Sequence, residues 1–168
     1  IGVLQHTPSP ERSILELKKM LNKNGWLIFD HYRFKWKSLP PPFGGFGNVF
    51  RLFVLKLPKS DQMSVCDKVV KFYFPIHWFF KDNWIVQHLL FRISPVRFYY
   101  PWLKLRTREE YFSWALMDTH DGSTDYYHHT RTLGGMKAFL LKNGAKELRI
   151  WKGGNGIEAQ TQFKYQTP

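Results

Sequence analysis

A chain of 168 residues with 43% hydrophobic and 18% aromatic content has enough apolar material for a packed core, which excludes a disordered polymer. Every hydrophobic stretch is interrupted by a charged residue or histidine before the ~18 residues a membrane-crossing helix needs. The net charge of +12 is uneven: residues 33–108 hold 14 Lys or Arg against Asp61, Asp67 and Asp82, leaving only +1 for the two flanks together. The single cysteine, Cys66, makes no internal disulfide and points to a reducing, cytoplasmic compartment.

The chain opens on Ile, with no charged leader or apolar signal core before its first element, so it reads as cut from a longer one. Ser9 as cap, Pro10 in the first turn and Ile14, Leu17 and Leu21 at helical spacing predict a helix ending at Asn24-Gly25. The apolar run from Trp26 to Phe29 predicts a strand buried on both faces. Helix, glycine and buried strand form the cadence of a parallel α/β sheet. On that reading "IGVLQHT" ends a preceding strand, and Gln5 and His6 share the carboxyl rim with Asp30, His31 and Tyr32.

Residues 33–108 break the pattern with three consecutive prolines, "FGGFG", helices near 61–74 and 83–93, and 18 of the 30 aromatic residues. Beyond a binding rim, such a basic and aromatic insertion reads either as a cap over substrate or as helices packed by aromatics and solvated by Lys and Arg. Phe72, Phe74, Phe79 and Phe80 are spaced as a core would be.

"TREE" at Thr107 has capping-box spacing and predicts a helix to about Leu116. A further helix from Thr132 turns Met136, Phe139 and Leu140 inward and ends at Asn143-Gly144. "KELRIW", "KGGNG" and the alternating Ile157, Ala159, Thr161, Phe163 and Tyr165 predict a strand, a short turn and an antiparallel strand.

"GGFG" follows prolines and "GGNG" joins two strands, so neither has the setting of a phosphate-binding loop. "LMDTHDGSTDYYHHTRT" gathers Asp118, His120, Asp121, Asp125, His128, His129 and Arg131. Asp and His together suit zinc or non-haem iron, but no metal-specific spacing is present; a loop that caps helices and hydrogen-bonds a substrate is the expectation. Cys66 beside Val65 reads as a small apolar filler, and no serine has an elbow sequence. His6 reads two ways, as a loop histidine bonded to backbone or as a general base at the rim.

"IGVLQHTPSPERSILELKKMLNKNGWLIFDHYR" resembles the second half of a class I S-adenosylmethionine-dependent methyltransferase domain, with Asn24 and Trp26 where the family pattern has proline and glycine. "FSWALMDTHDGSTDYYHHTRT" with "LKNGAKELRIWKGGNGIEAQ" is similar to the C-terminal part of one bacterial branch of that superfamily. The resemblance implies the C-terminal half of an α/β, Rossmann-like sheet of seven strands whose last strand runs antiparallel, carrying a helical insertion. It divides the chain into a sheet segment at 1–32, a cap at 33–108 and C-terminal helices and strands at 109–168.

It also implies a glycine-rich loop and an acidic ribose-binding residue upstream of Ile1, so that the chain alone would be inactive. Ile1, Gly2, Gln5 and His6 then fall along the methionine and methyl side of the cofactor, with His6 as the catalytic base. Tyr32, Tyr99, Tyr100, His120, Asp121, Tyr126, Tyr127 and Arg131 fall on the side of a small-molecule acceptor. The competing expectation is a basic, aromatic module for nucleic acid or an anionic surface, the membrane surface included, although no known nucleic-acid module fits.

Overall fold

The computed structural model describes residues 2–36, 39, 41–100, 102–154 and 156–164. Ile1, Pro40, Asn155 and Tyr165, which carry parts of the expectations above, lie outside them. The described residues mix helix and sheet and divide into two compact units, residues 1–34 with 126–168 and residues 35–125. The Thr107-capped helix therefore clusters with the middle unit, which closes at Asp125 instead of at 108.

The first unit contains a 3-10 turn (Leu4–His6), helix α1 (Pro10–Lys19) and strand β1 (Leu27–Tyr32) from its N-terminal segment. Its C-terminal segment adds α6 (Leu133–Lys142), β2 (Ala145–Gly153) and β3 (Gly156–Phe163). Ser9 accepts from the Arg12 amide and Thr132 from the Gly135 amide, so two side-chain caps start α1 and α6 where the sequence places them. Helix α1 ends at Lys19, five residues early, because the chain turns at Asn22–Gly25 through a left-handed Asn24, φ 64°.

The sheet has the order β1-β3-β2, with β3 antiparallel to both neighbours. No parallel strand pair occurs among the described strands; a single parallel bridge joins Arg33 to Arg131. Residues 2–7 form the 3-10 turn and no strand, which corrects the expectation for "IGVLQHT".

One sheet face is covered. Leu27 and Phe29 of β1 and Ile157 and Ala159 of β3 pack with Leu4, Ile14, Met136 and Leu140, each full burial contributing roughly 1.5–3 kcal/mol. The other face carries Ile28, 63% exposed, with Asp30 and Glu158. The run Trp26–Phe29 is thus buried on one face, not two, as befits an antiparallel sheet with one solvated side, whereas Asp30 at 4% exposure shows the same face covered nearer the end of β1.

The middle unit is helical: α2 (Gly47–Val54), α3 (Lys59–Phe79), α4 (Trp84–Ile93) and α5 (Arg108–Thr124). α3 runs through Pro75, which sits on its exposed side; packing of Phe74 and Trp78 on either side outweighs the lost backbone hydrogen bond. The Thr107 capping box is present, but α5 continues eight residues past Leu116. "MDTHDGST" is therefore helix, which overturns the loop expected there. The core is aromatic, with Phe74 in ring contact with Trp78, Phe98 and Phe112. Phe50, Val54 and Cys66 form a smaller cluster, in which burial pushes the thiol pKa up.

Candidate functional site

Two polar clusters stand out, one in each unit. In the first unit, Leu4 drops into the core and draws the 3-10 turn against the end of β1. The Gly2 amide donates to the Asp30 carboxylate, and Gly2 holds a left-handed φ of 70° with open space where a Cβ would be. The His129 amide donates to the Gln5 carbonyl at 3.1 Å, and the Arg131 amide to the Tyr32 carbonyl at 3.0 Å. The segment after Asp125 is thereby stitched to both the turn and the strand end.

The side chains on this lip form a linked set. The His6 ring meets Tyr32 edge-on at 5.4 Å, and Tyr32 lies 4.9 Å from the ring of His128. Tyr127 stacks on His129 at 6.1 Å and meets Tyr126 edge-on at 4.9 Å. Gln5 is fully buried, yet neither atom of its amide has a partner among the described groups. The Nε2 atoms of His31 and His129 are buried in the same condition. His31 Nδ1 lies 3.0 Å from the Tyr32 carbonyl, which can only accept, so Nδ1 carries the proton and Nε2 offers a lone pair. Burial is the main cause that holds the His31 pKa below its ordinary value.

The Arg131 guanidinium is engaged on two of its nitrogens. Its Nε donates to Glu11 at 2.6 Å and its Nη1 to the Thr130 carbonyl at 2.9 Å, and that guanidinium draws the Glu11 pKa down. Arg131 pins "HHT" to the first turn of α1, with its side chain 33% exposed.

The lip brings Gly2, Gln5, His6, Tyr32, Tyr126, Tyr127 and Arg131 together with Asp30 and His31, which the sequence places on the same rim, and adds His128 and His129. Ile1 lies outside the described residues. The signal for the additions was present: "DHY" ends a strand, and "HHT" lies between two helices.

The remaining candidates belong to the middle unit. Asp118 Oδ2 lies 3.9 Å from Arg97 Nη1, and the Arg97 amide donates to the Thr119 hydroxyl at 3.0 Å. The Arg97 guanidinium occupies the space a Cβ at Gly122 would need. Burial is the main cause that raises the pKa of both Tyr99 and Asp118. Tyr100 packs in the aromatic core against Trp78, Phe98 and Tyr111, which corrects its assignment to the acceptor side. His120 and Asp121 lie on α5, with Asp121 exposed. An open groove along α5, lined by Leu105, Glu109, Glu110 and Trp114, contains none of the expected site residues. Among the described residues no three His, Cys, Asp or Glu side chains converge as a metal-binding group. Nor is any described helix long and apolar enough to cross a membrane.

Comparison of the chain with protein-family models, with curated proteins and with solved structures finds no match.

Proposed function

We propose that this chain builds part of an S-adenosylmethionine-dependent methyl-transfer site for a small-molecule acceptor, as the C-terminal half of a Rossmann-like sheet in a reducing, cytoplasmic compartment. The observation that carries the reading is the juxtaposition of the "GVLQHT" turn with the end of β1, where a fully buried Gln5 side-chain amide has no partner among the described residues, beside a half-buried His6. A buried amide left unpaired costs roughly 1–3 kcal/mol, which a polar ligand recovers. The antiparallel last strand between β1 and β2, and the absence of a strand on the outer edge of β1 among the described residues, support the same reading.

The residues present fit the methionine end of the cofactor. Gly2 offers backbone with open space beside it, and Gln5 offers one donor group and one acceptor. The expected glycine-rich loop and acidic ribose ligand have no counterpart in the 168 residues. When bound, S-adenosylmethionine supplies an electrophilic methyl group on its sulfonium. The work of this chain is alignment and proton removal. Gln5 orients the polar end of the donor, Tyr32 fixes the plane of the His6 ring, and His6 takes the proton of a hydroxyl or amine acceptor. His128, whose ring lies 4.9 Å from that of Tyr32, lines the acceptor side in this reading.

The test is binding and turnover with radiolabelled S-adenosylmethionine, using the natural gene product that carries this chain. Gln5→Leu is expected to weaken donor binding at least about tenfold through the lost polar contacts. His6→Ala is expected to lower turnover roughly 100-fold or more while donor binding stays intact. The 168-residue chain alone is expected to bind no donor. A gene product that does not bind S-adenosylmethionine ends the proposal.

A further inference from the structure

The apolar residues of α3 and α4 divide into two sets. One set is the aromatic core around Phe74. The other faces water: Phe72, Ile76 and Phe79 recur along one exposed side of α3, which Lys68 continues toward its N-terminus, while Lys71 beside it is paired with Asp67 at 2.6 Å. Phe79 is 79% exposed, so it takes no part in the core that the phenylalanine spacing suggested.

Helix α4 is built inside out. Trp84, Ile85, Leu89 and Ile93 share its exposed face with His88 and Arg92, and Trp84 is 77% exposed. Its inward contacts are largely polar. His77 of α3, itself 2% exposed, places Nδ1 2.8 Å from Gln87 Oε1 and Nε2 2.9 Å from Ser94 Oγ, while Gln87 Nε2 donates to the His77 carbonyl at 2.8 Å. A three-residue polar clamp fixes α4 to α3, and of the α4 apolar residues only Leu90 is fully turned in. Buried polar groups beneath an exposed apolar face reverse the usual arrangement of a water-facing helix, and such a patch marks a surface that meets something apolar.

Composition says what that is. The helical unit, residues 35–125, carries 13 Lys or Arg against 8 Asp or Glu, a net of +5, so the partner is anionic as well as apolar. The face mixes Trp and Phe with the aliphatic Ile76, Ile85, Leu89 and Ile93; aliphatic side chains stack no nucleic-acid base. Lysines beside the patch are unfavourable in the core of a protein–protein interface but suit an acidic headgroup layer, because their stems follow apolar surface while the ammonium stays wet. Neither helix is long and apolar enough to cross a bilayer.

We propose that the outward faces of α3 and α4 seat this protein on an anionic phospholipid bilayer, lying in the interfacial plane with Phe72, Phe79, Trp84 and Leu89 inserted at the boundary of headgroups and acyl chains. This surface is independent of the methyl-transfer reading, and its test needs no methyl donor.

The 168-residue chain is sedimented with vesicles of phosphatidylcholine and phosphatidylglycerol in equal parts, and with vesicles of phosphatidylcholine alone. Binding to the mixed vesicles is expected, with a blue shift of tryptophan emission, weakening as salt rises and much reduced without phosphatidylglycerol. The double variant Trp84→Ser/Leu89→Ser changes only exposed side chains, and circular dichroism is expected to report an unchanged fold. Its vesicle affinity is expected to fall at least about tenfold. No binding to the mixed vesicles at low salt overturns the proposal, as does unchanged binding by the double variant. So does a stable dimer that the double variant dissociates, which would assign the face to a second copy. Capture of a single-stranded oligonucleotide in place of vesicles overturns it in favour of nucleic acid.

Discussion

In the sheet unit, aliphatic side chains from opposite ends of the chain, Ile14 and Leu27 on one side and Leu140 and Ile157 on the other, close a core around antiparallel strands. In the helical unit, α3 and α5 pack through aromatic rings, and much apolar surface stays outside. The first unit leaves side-chain atoms of Gln5, His31 and His129 without partners among the described groups near the end of β1. The second clamps His77, Gln87 and Ser94 together beneath α4 and leaves the apolar face of that helix exposed. Each anomaly is what a ligand or surface of the complementary kind removes, which is why the lip reads as a small-molecule site and the α3–α4 face as a surface for lipid.

The largest effect that bears on this contrast is expected from Phe74→Ala. Removing a ring that is 1% exposed costs about 3–5 kcal/mol, enough to unfold a marginal helical core. Hydrogen exchange checks it: amides of α3 and α5 lose protection, and retained protection in β3 shows that the sheet unit holds without its neighbour. Loss in both together would break the contrast.

Acid probes both units with the same sign. Burial, the main cause, holds His31 and His77 below the ordinary histidine value of 6.5. For His31 the charges in play are Arg131, Glu11 and His129, and for His77 the main partner is Gln87. Unfolding frees each ring to take up a proton, so stability is full above about pH 6.5, falls as pH drops toward the depressed values, and levels off below them. Each contributes at most about 1.4 kcal/mol per pH unit in that window. His31→Gln is expected to flatten the acid-induced loss in the sheet unit and leave it in the helical unit, measured by urea titrations between pH 7 and about 5.

The smallest effect sharpens the comparison at its most local level. Thr107→Ala and Ser9→Ala each remove one helix cap, and each is expected to cost about 1 kcal/mol in thermal unfolding. Similar losses would show that capping acts alike in both units and that their difference lies in packing.

Local chemistry was legible in the residues themselves. Ser9, Thr107 and Thr132 cap the helices they precede, and Asn24 and Gly144 take the left-handed conformations their positions suggested. The alternation of Ile157, Ala159 and Thr161 named the buried face of β3. These features depend on a few neighbouring residues.

Other outcomes depended on distant partners. α3 passes Pro75, and α5 passes His120 and Gly122, because packing overrides weak local propensities. The pairing of Arg97 with Asp118, and of Arg131 with Glu11, joins residues that no spacing rule relates. Which aromatics would be core and which surface was undecidable from their spacing, since α3 carries Phe72 and Phe79 on one side and Phe74 on another, and only its neighbours cover Phe74. Short-range hydrogen bonding is written in adjacent residues; burial is a property of what arrives from elsewhere in the chain, so only the folded structure could assign it.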